Sequence, residues 1–162
     1  YGRTKLEGEK LVRDGNGRHI IIRTAWLYSE YGRNFVRTML SLTSSRPQVN
    51  VVFDQVGSPT YAPDLAAAIL TVIDSPVRDE SYGTYHFSDE GVCSWYDLAT
   101  LVGRLSGADC RVLPCHSSEF HSKVVRPAYS VLDKTKIKNT FGVEVPYWTD
   151  SLQKCLNNLA ND

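Results

Sequence analysis

His19-Ile20-Ile21-Ile22-Arg23 is the stretch from which the fold of this chain is read. Its three consecutive isoleucines do not alternate with polar residues, as they would on a strand with one wet face. They suit a strand covered on both sides, as in a parallel sheet. Upstream, residues 1–13 have helical spacing in Leu6, Lys10, Leu11 and Val12, and Asp14-Gly15-Asn16-Gly17 ends the run. Downstream, Asn34 to Ser45 reads as a helix with Phe35, Met39, Leu40 and Leu42 as its apolar set, and Val49 to Phe53 as a second strand. Gln55 to Tyr61, with Gly57 and Pro59, reads as a loop. Pro63 opens a helix to Ile73 whose stripe is Leu65, Ala68, Ile69 and Val72.

Gly83 to Phe87 is a third strand. Ser94 with Asp97 three residues on forms a capping pattern for a helix through Leu98, Leu101 and Leu105 to Gly107. A short strand at Cys110 to Leu113, a polar irregular stretch from Ser117 to Tyr129, and closing helices at Asp133–Thr140 and Thr149–Leu159 complete the chain. Alternation of helix and strand predicts an α/β layer structure. In this reading the first helix has no strand before it, and the first strand has no parallel neighbour within the chain. That is the pattern of a cut through a larger sheet.

The 162 residues suffice for a domain with a hydrophobic core. The 18 Lys and Arg balance the 18 Asp and Glu, which leaves no electrostatic footprint for nucleic acid or an anionic membrane. No apolar run approaches the length that spans a bilayer. No secretory signal is visible, and Cys93, Cys110, Cys115 and Cys155 include no Cys-x-x-Cys pair. Reduced thiols and a cytoplasmic location are therefore expected. The histidines are scattered, with no metal-binding spacing.

Tyr1 and Lys5 are one helical turn apart, so their side chains share a face. An ammonium beside a phenol favours the phenolate, which makes such a pair an acid/base unit. It is equally a chance pair on a solvated helix. The wider context bears on this. Tyr1-Gly2-Arg3-Thr4-Lys5, Arg23-Thr24-Ala25-Trp26-Leu27-Tyr28-Ser29, Gly32-Arg33-Asn34-Phe35, Asp54-Gln55-Val56-Gly57-Ser58-Pro59-Thr60, Ser94-Trp95-Tyr96-Asp97 and Arg126-Pro127-Ala128-Tyr129-Ser130-Val131-Leu132-Asp133 follow one another in order. The set resembles the dTDP-4-dehydrorhamnose reductases, a family of extended short-chain dehydrogenases, over nearly the whole chain.

The resemblance implies the C-terminal portion of a Rossmann-type doubly wound sheet plus a small α/β substrate-binding domain. Residues 1–48 would end the dinucleotide-binding domain and residues 49–162 would form mainly the substrate domain, with chain crossings between the two. It implies NAD(P)H-dependent reduction of the 4-keto group of dTDP-4-dehydro-L-rhamnose to dTDP-L-rhamnose, with NADPH or NADH as cofactor. Tyr1 would donate the proton, and Lys5 would hold the cofactor ribose. Arg23 and Thr24 would face the cofactor; Trp26, Asn34, Gln55 and Arg126 would face the nucleotide sugar, Arg126 at its diphosphate. Plainer readings stand beside these. Trp26 could be a core residue after a buried strand, Arg23 and Thr24 strand-end residues, Arg126 an ion-pair partner, and Asn34 and Gln55 structural. Trp95 and Trp148, at helix starts, read as packing residues.

The family's Gly-rich strand-to-helix turn is not in this sequence, since Gly15-Asn16-Gly17 joins a helix to a strand. The family's catalytic Ser or Thr precedes the tyrosine. An N-terminal half of the same protein is therefore an expected partner, and the 162 residues alone are expected to be inactive. A homodimer is compatible with the family. So is Mg2+, although no ligand cluster supports it. The rival functions are another nucleotide-sugar epimerase or dehydratase of the superfamily, and a non-catalytic regulatory subunit with this fold.

Overall fold

The structure is a computed structural model that describes residues 1–120, 124 and 126–161. It is of the α/β class. Its helices are α1 (Gly2–Gly15), α2 (Phe35–Ser45), α3 (Ala62–Asp74), α4 (Trp95–Leu105), α5 (Thr135–Phe141) and α6 (Trp148–Asn161). Its strands are β1 (Ile20–Arg23), β2 (Leu27–Tyr28), β3 (Gln48–Val52), β4 (Val56–Gly57), β5 (Thr60–Tyr61), β6 (Gly83–His86), β7 (Cys93–Ser94) and β8 (Arg111–Cys115). Among the described residues the strands form four two-stranded sheets rather than one large one. β1–β6, β2–β5 and β3–β8 are parallel, and β4–β7 is antiparallel.

Each parallel pair is joined by a crossover carrying helix, as parallel pairing requires. This corrects one expectation: β1 does have a parallel neighbour in the chain, with Ile20 opposite Gly83 and Ile22 opposite Tyr85. The partners are more than sixty positions apart, and nothing local in either strand names the other. The expectation of a plain loop at Gln55 to Tyr61 is also corrected, because β4 and β5 lie within it. Two-residue strands are too short to display an alternating pattern. The strand expected at Cys110 to Leu113 is shifted to Arg111–Cys115. Of the stretch expected to be irregular, residues 121–123 and 125 lie outside the described residues.

Two apolar clusters organise the chain. The larger gathers Val36 and Met39 of α2, Val49 and Val51 of β3, Leu98 and Val102 of α4, and Trp148, Leu152 and Cys155 of α6. Trp148 is thus a packing residue, as expected. The smaller joins Ala68 and Val72 of α3 to Tyr85, Phe87, Ile137 and Phe141, with Ile20 and Ile22 packed against it. Each fully buried leucine, such as Leu152, contributes about 1.5–3 kcal/mol. All four cysteines are free. No helix among the described residues is long and apolar enough to cross a membrane.

Candidate functional site

The N-terminal helix carries Tyr1 and Lys5 on an open face. Tyr1 is the N-cap of α1, its carbonyl accepting from Lys5 N at 3.1 Å and from Thr4 Oγ1 at 2.8 Å. Its phenol is 94% exposed, and Lys5 Nζ lies 5.4 Å from the ring centroid. α1 buries none of its residues. It is fastened by Arg23 at the end of β1, whose Nε and Nη2 donate to Glu9 Oε1 and Oε2 at 2.7 and 2.6 Å. This fork-to-fork pair holds the Glu9 carboxyl below its ordinary range and raises Arg23. Thr24 turns inward to Thr60, hydroxyl to hydroxyl, at 3.2 Å, and Thr60 donates to the Ala25 carbonyl at 2.6 Å.

Three residues beyond Arg23, Trp26 takes up φ 51°, the one positive φ outside glycine among the described residues. A bulky residue pays a steric cost there and stays only where its surroundings hold it. They do so on several sides. Trp26 Nε1 donates to Ser130 Oγ at 3.2 Å, and Ser130 Oγ donates to the Val56 carbonyl at 3.2 Å. The indole lies flat on Trp95, with centroids 3.5 Å apart and planes 5° off parallel. Gly57 leaves the space the ring occupies: a Cβ there would sit 2.6 Å from Trp26 Cε2 and 2.7 Å from Ser130 Oγ.

Around this stack is a cleft of about 280 Å³, lined by Ala25, Trp26, Gln55, Trp95, Arg126, Pro127 and Ser130. Gln55, Trp95 and Arg126 also line an adjoining recess of about 310 Å³ whose other walls include Phe35, Met39, Val49, Val51 and Phe120. The exposed Arg126 guanidinium lies 5.7 Å from the Trp95 ring centroid. Gln55 Nε2 donates to Ser117 Oγ at 2.9 Å, and Ser117 Oγ in turn to Asp54 Oδ1 at 2.5 Å. With the Ser117 N–H also donated, these bonds hold the Asp54 carboxyl below its usual range. The cleft thus pairs flat aromatic walls with a guanidinium and an amide. That combination suits a ligand with a sugar-like or planar face and an anionic group.

Trp26, Gln55 and Arg126, singled out from the sequence, therefore share one cleft. Asn34 does not line it. Asn34 caps α2, accepting from Arg37 N at 3.1 Å and donating to Ser29 O at 2.8 Å. Tyr1, Lys5, Arg23 and Thr24 are likewise outside its walls. Trp95 and Ser130 are cleft residues to which sequence reasoning gave no such role. Trp95 opens α4 directly after a capping serine, a place where a packing residue is the ordinary reading. No group of His, Cys, Asp or Glu able to hold a metal ion is found among the described residues.

The family model of the RmlD substrate binding domain matches residues 1–161. The chain belongs to the RmlD substrate binding domain family. The spore coat polysaccharide biosynthesis protein SpsK of Bacillus subtilis is 40% identical over 156 residues, 96% of this chain and 53% of that protein. A crystal structure of a dTDP-4-dehydrorhamnose reductase from Clostridium acetobutylicum is similar at TM-score 0.92 and 44% identity, over 99% of this chain and 55% of that one. The dTDP-4-dehydrorhamnose reductase of Bacillus anthracis, solved in complex with NADP, is similar at TM-score 0.88 and 37% identity, over 98% of this chain and 54% of that one. The chain spans about half the length of the curated relatives it matches. A UDP-glucuronic acid 4-epimerase at TM-score 0.73 and 17% identity shares the fold with this RmlD domain.

Proposed function

We propose that the full-length protein containing this RmlD domain reduces the 4-keto group of dTDP-4-dehydro-L-rhamnose to dTDP-L-rhamnose, using NADPH or NADH. The observation that carries the reading is the meeting of Trp26, Gln55 and Arg126 in one cleft, in a chain with reductase relatives of substantial identity. We read β1, β6, α1 and α3 as the end of a Rossmann-type sheet, and the β3–β8 side as the substrate-binding part. The partner is the N-terminal half of the same protein.

The residues present fit the nicotinamide-ribose end of such a cofactor. Tyr1 offers a phenol and Lys5 an ammonium on the same open helix face. A bound nicotinamide supplies the hydride, and this chain's residues bind, orient and protonate. Arg126 meets the diphosphate with its planar fork, Trp26 packs against the sugar, and Gln55 bonds a polar group beside it. As negative charge develops on the 4-oxygen, Tyr1 donates its proton there, and Lys5 orders the ribose hydroxyls and offsets the charge left on the phenolate. Arg23 acts through Glu9 by holding α1 against the segment that leads to Trp26. Thr24 and Asn34 shape the two ends of that segment.

The test is NAD(P)H oxidation by the full-length protein with dTDP-4-dehydro-L-rhamnose. Tyr1→Phe is expected to lower kcat by about 100-fold or more while leaving the fold intact. Conversion of the sugar without net NAD(P)H consumption would overturn the reduction.

A further inference from the structure

The cleft has a member whose presence the proposed reaction does not explain. Trp95 stands against two of its walls and one wall of the adjoining recess. Trp26 lies flat against it at 3.5 Å, Arg126 stands 5.7 Å from its ring centroid, and Phe35 of α2 tilts against it at 4.6 Å and 53°. Its backbone is set by the start of α4. Ser94 Oγ accepts from Asp97 N at 3.1 Å, and Asp97 Oδ2 accepts from Ser94 N at 2.8 Å. Trp26, by contrast, sits on a backbone that a tryptophan does not choose, its carbonyl accepting from Thr60 N at 3.1 Å and its indole N–H donating to the hydroxyl of Ser130. Aromatic pairs generally prefer an offset or tilted arrangement to a face-to-face one. The close parallel stack is therefore imposed by the framework on both sides. With Trp95 removed, the Trp26 ring loses a face and the Arg126 guanidinium loses its aromatic neighbour.

We propose that Trp95 is a positioning residue that holds the indole of Trp26 and the guanidinium of Arg126 in their places in the cleft. It acts on the ligand through these two groups. The proposal rests on the nucleotide-sugar reading for its choice of probe, dTDP, and on the stack itself for its second readout.

Wild type, W95F and W95A of the full-length protein are compared by far-ultraviolet circular dichroism, thermal melting and dTDP titration calorimetry. Near-ultraviolet circular dichroism, recorded on the same samples, reports whether an indole is fixed in one orientation; the bands of Trp26, isolated as the difference between W95A and W26F/W95A, are expected to vanish. W95A is expected to weaken dTDP binding about 10-fold, and W95F, which keeps an aromatic face, to stay within about 3-fold of wild type. A residue that merely fills space would move the melting temperature and leave the affinity alone. W95A that melts cooperatively and binds dTDP like wild type overturns the proposal. If W95A does not fold, W95L, apolar and without an aromatic face, takes its place with the same expected loss. If wild type fails to bind dTDP, the substrate reading fails. The near-ultraviolet bands then decide the positioning claim alone, and Trp26 bands that persist in W95A overturn that claim.

Discussion

Trp26 keeps its left-handed backbone because Ser130, Trp95 and the bare Cα of Gly57 surround the ring. Gly57 has an extended role here that its conformation does not demand: it makes room. The atoms a Cβ would strike belong to an indole already stacked on its far side and to the Ser130 hydroxyl bonded to it, so they have little freedom to move. Gly57→Ala is therefore expected to push Trp26 out of register, raising KM for the keto sugar about 10-fold in the full-length enzyme, with a smaller change in kcat. Steady-state kinetics check this, and unchanged KM with unchanged fluorescence of the tryptophans would contradict it. At this scale Trp26, Gln55 and Arg126 were legible in the sequence because they stand in blocks specific to the family. Trp95 was not, since a tryptophan in the first helical turn is ordinary core material. Only its flat contact with Trp26 and its place beside Arg126 give it another role.

The helices were the readable elements, because each carries its own instructions. α4 begins where Ser94 and Asp97 place it, and the reciprocal capping box is formed in the structure. Ser94→Ala removes the acceptor for Asp97 N and is expected to cost about 1 kcal/mol, or about 3 °C in Tm for a chain of this size. Thermal melting measures it, and a variant as stable as wild type would show that the α4 start is held by packing alone. α2 likewise begins at Asn34, whose side chain caps Arg37 N and also ties the preceding turn through Ser29 O. The short strands are the opposite case. β4 and β5 have two residues each and exist because β7 and β2 lie beside them. Their hydrogen bonds have no local signal in sequence, so Gln55 to Tyr61 looks like a loop until its neighbours are in place.

Across the whole molecule, the two apolar clusters meet at Asp89. This residue follows β6 in the smaller cluster, and its Oδ2 accepts the Tyr61 N–H of β5 in the larger one at 3.0 Å. It is fully buried, and neither its Oδ1 nor the Tyr28 hydroxyl has a partner among the described residues. Burial pushes the Asp89 carboxyl up to about 7; Asp64 adds to this, while the Tyr61 N–H, Lys134 and Lys154 oppose it. An unfolded aspartate ionises near 4, so between about 4 and 7 the native state holds the extra proton. Stability is then greatest below pH 4 from this group and falls as pH rises through 7. Asp89→Asn, which keeps an acceptor for Tyr61 N, is expected to flatten that slope. It should be the more stable protein at pH 8, by up to about 4 kcal/mol. Urea unfolding of both proteins from pH 4 to 8 checks it, and parallel pH profiles would rule it out.

The sequence by itself determined the α/β class, the course of the helices, the family, and three walls of the cleft. Each rests on residues close together in the chain: a helical stripe, a capping pair, a short specific block. Tertiary structure alone decided that β1 pairs with β6, that Arg23 is taken up by Glu9, and that Trp26 and Trp95 stack. Those contacts join residues from about a dozen to about seventy positions apart. Their geometry follows from register and from which faces the core leaves open, and neither is encoded in the residues on either side of the contact.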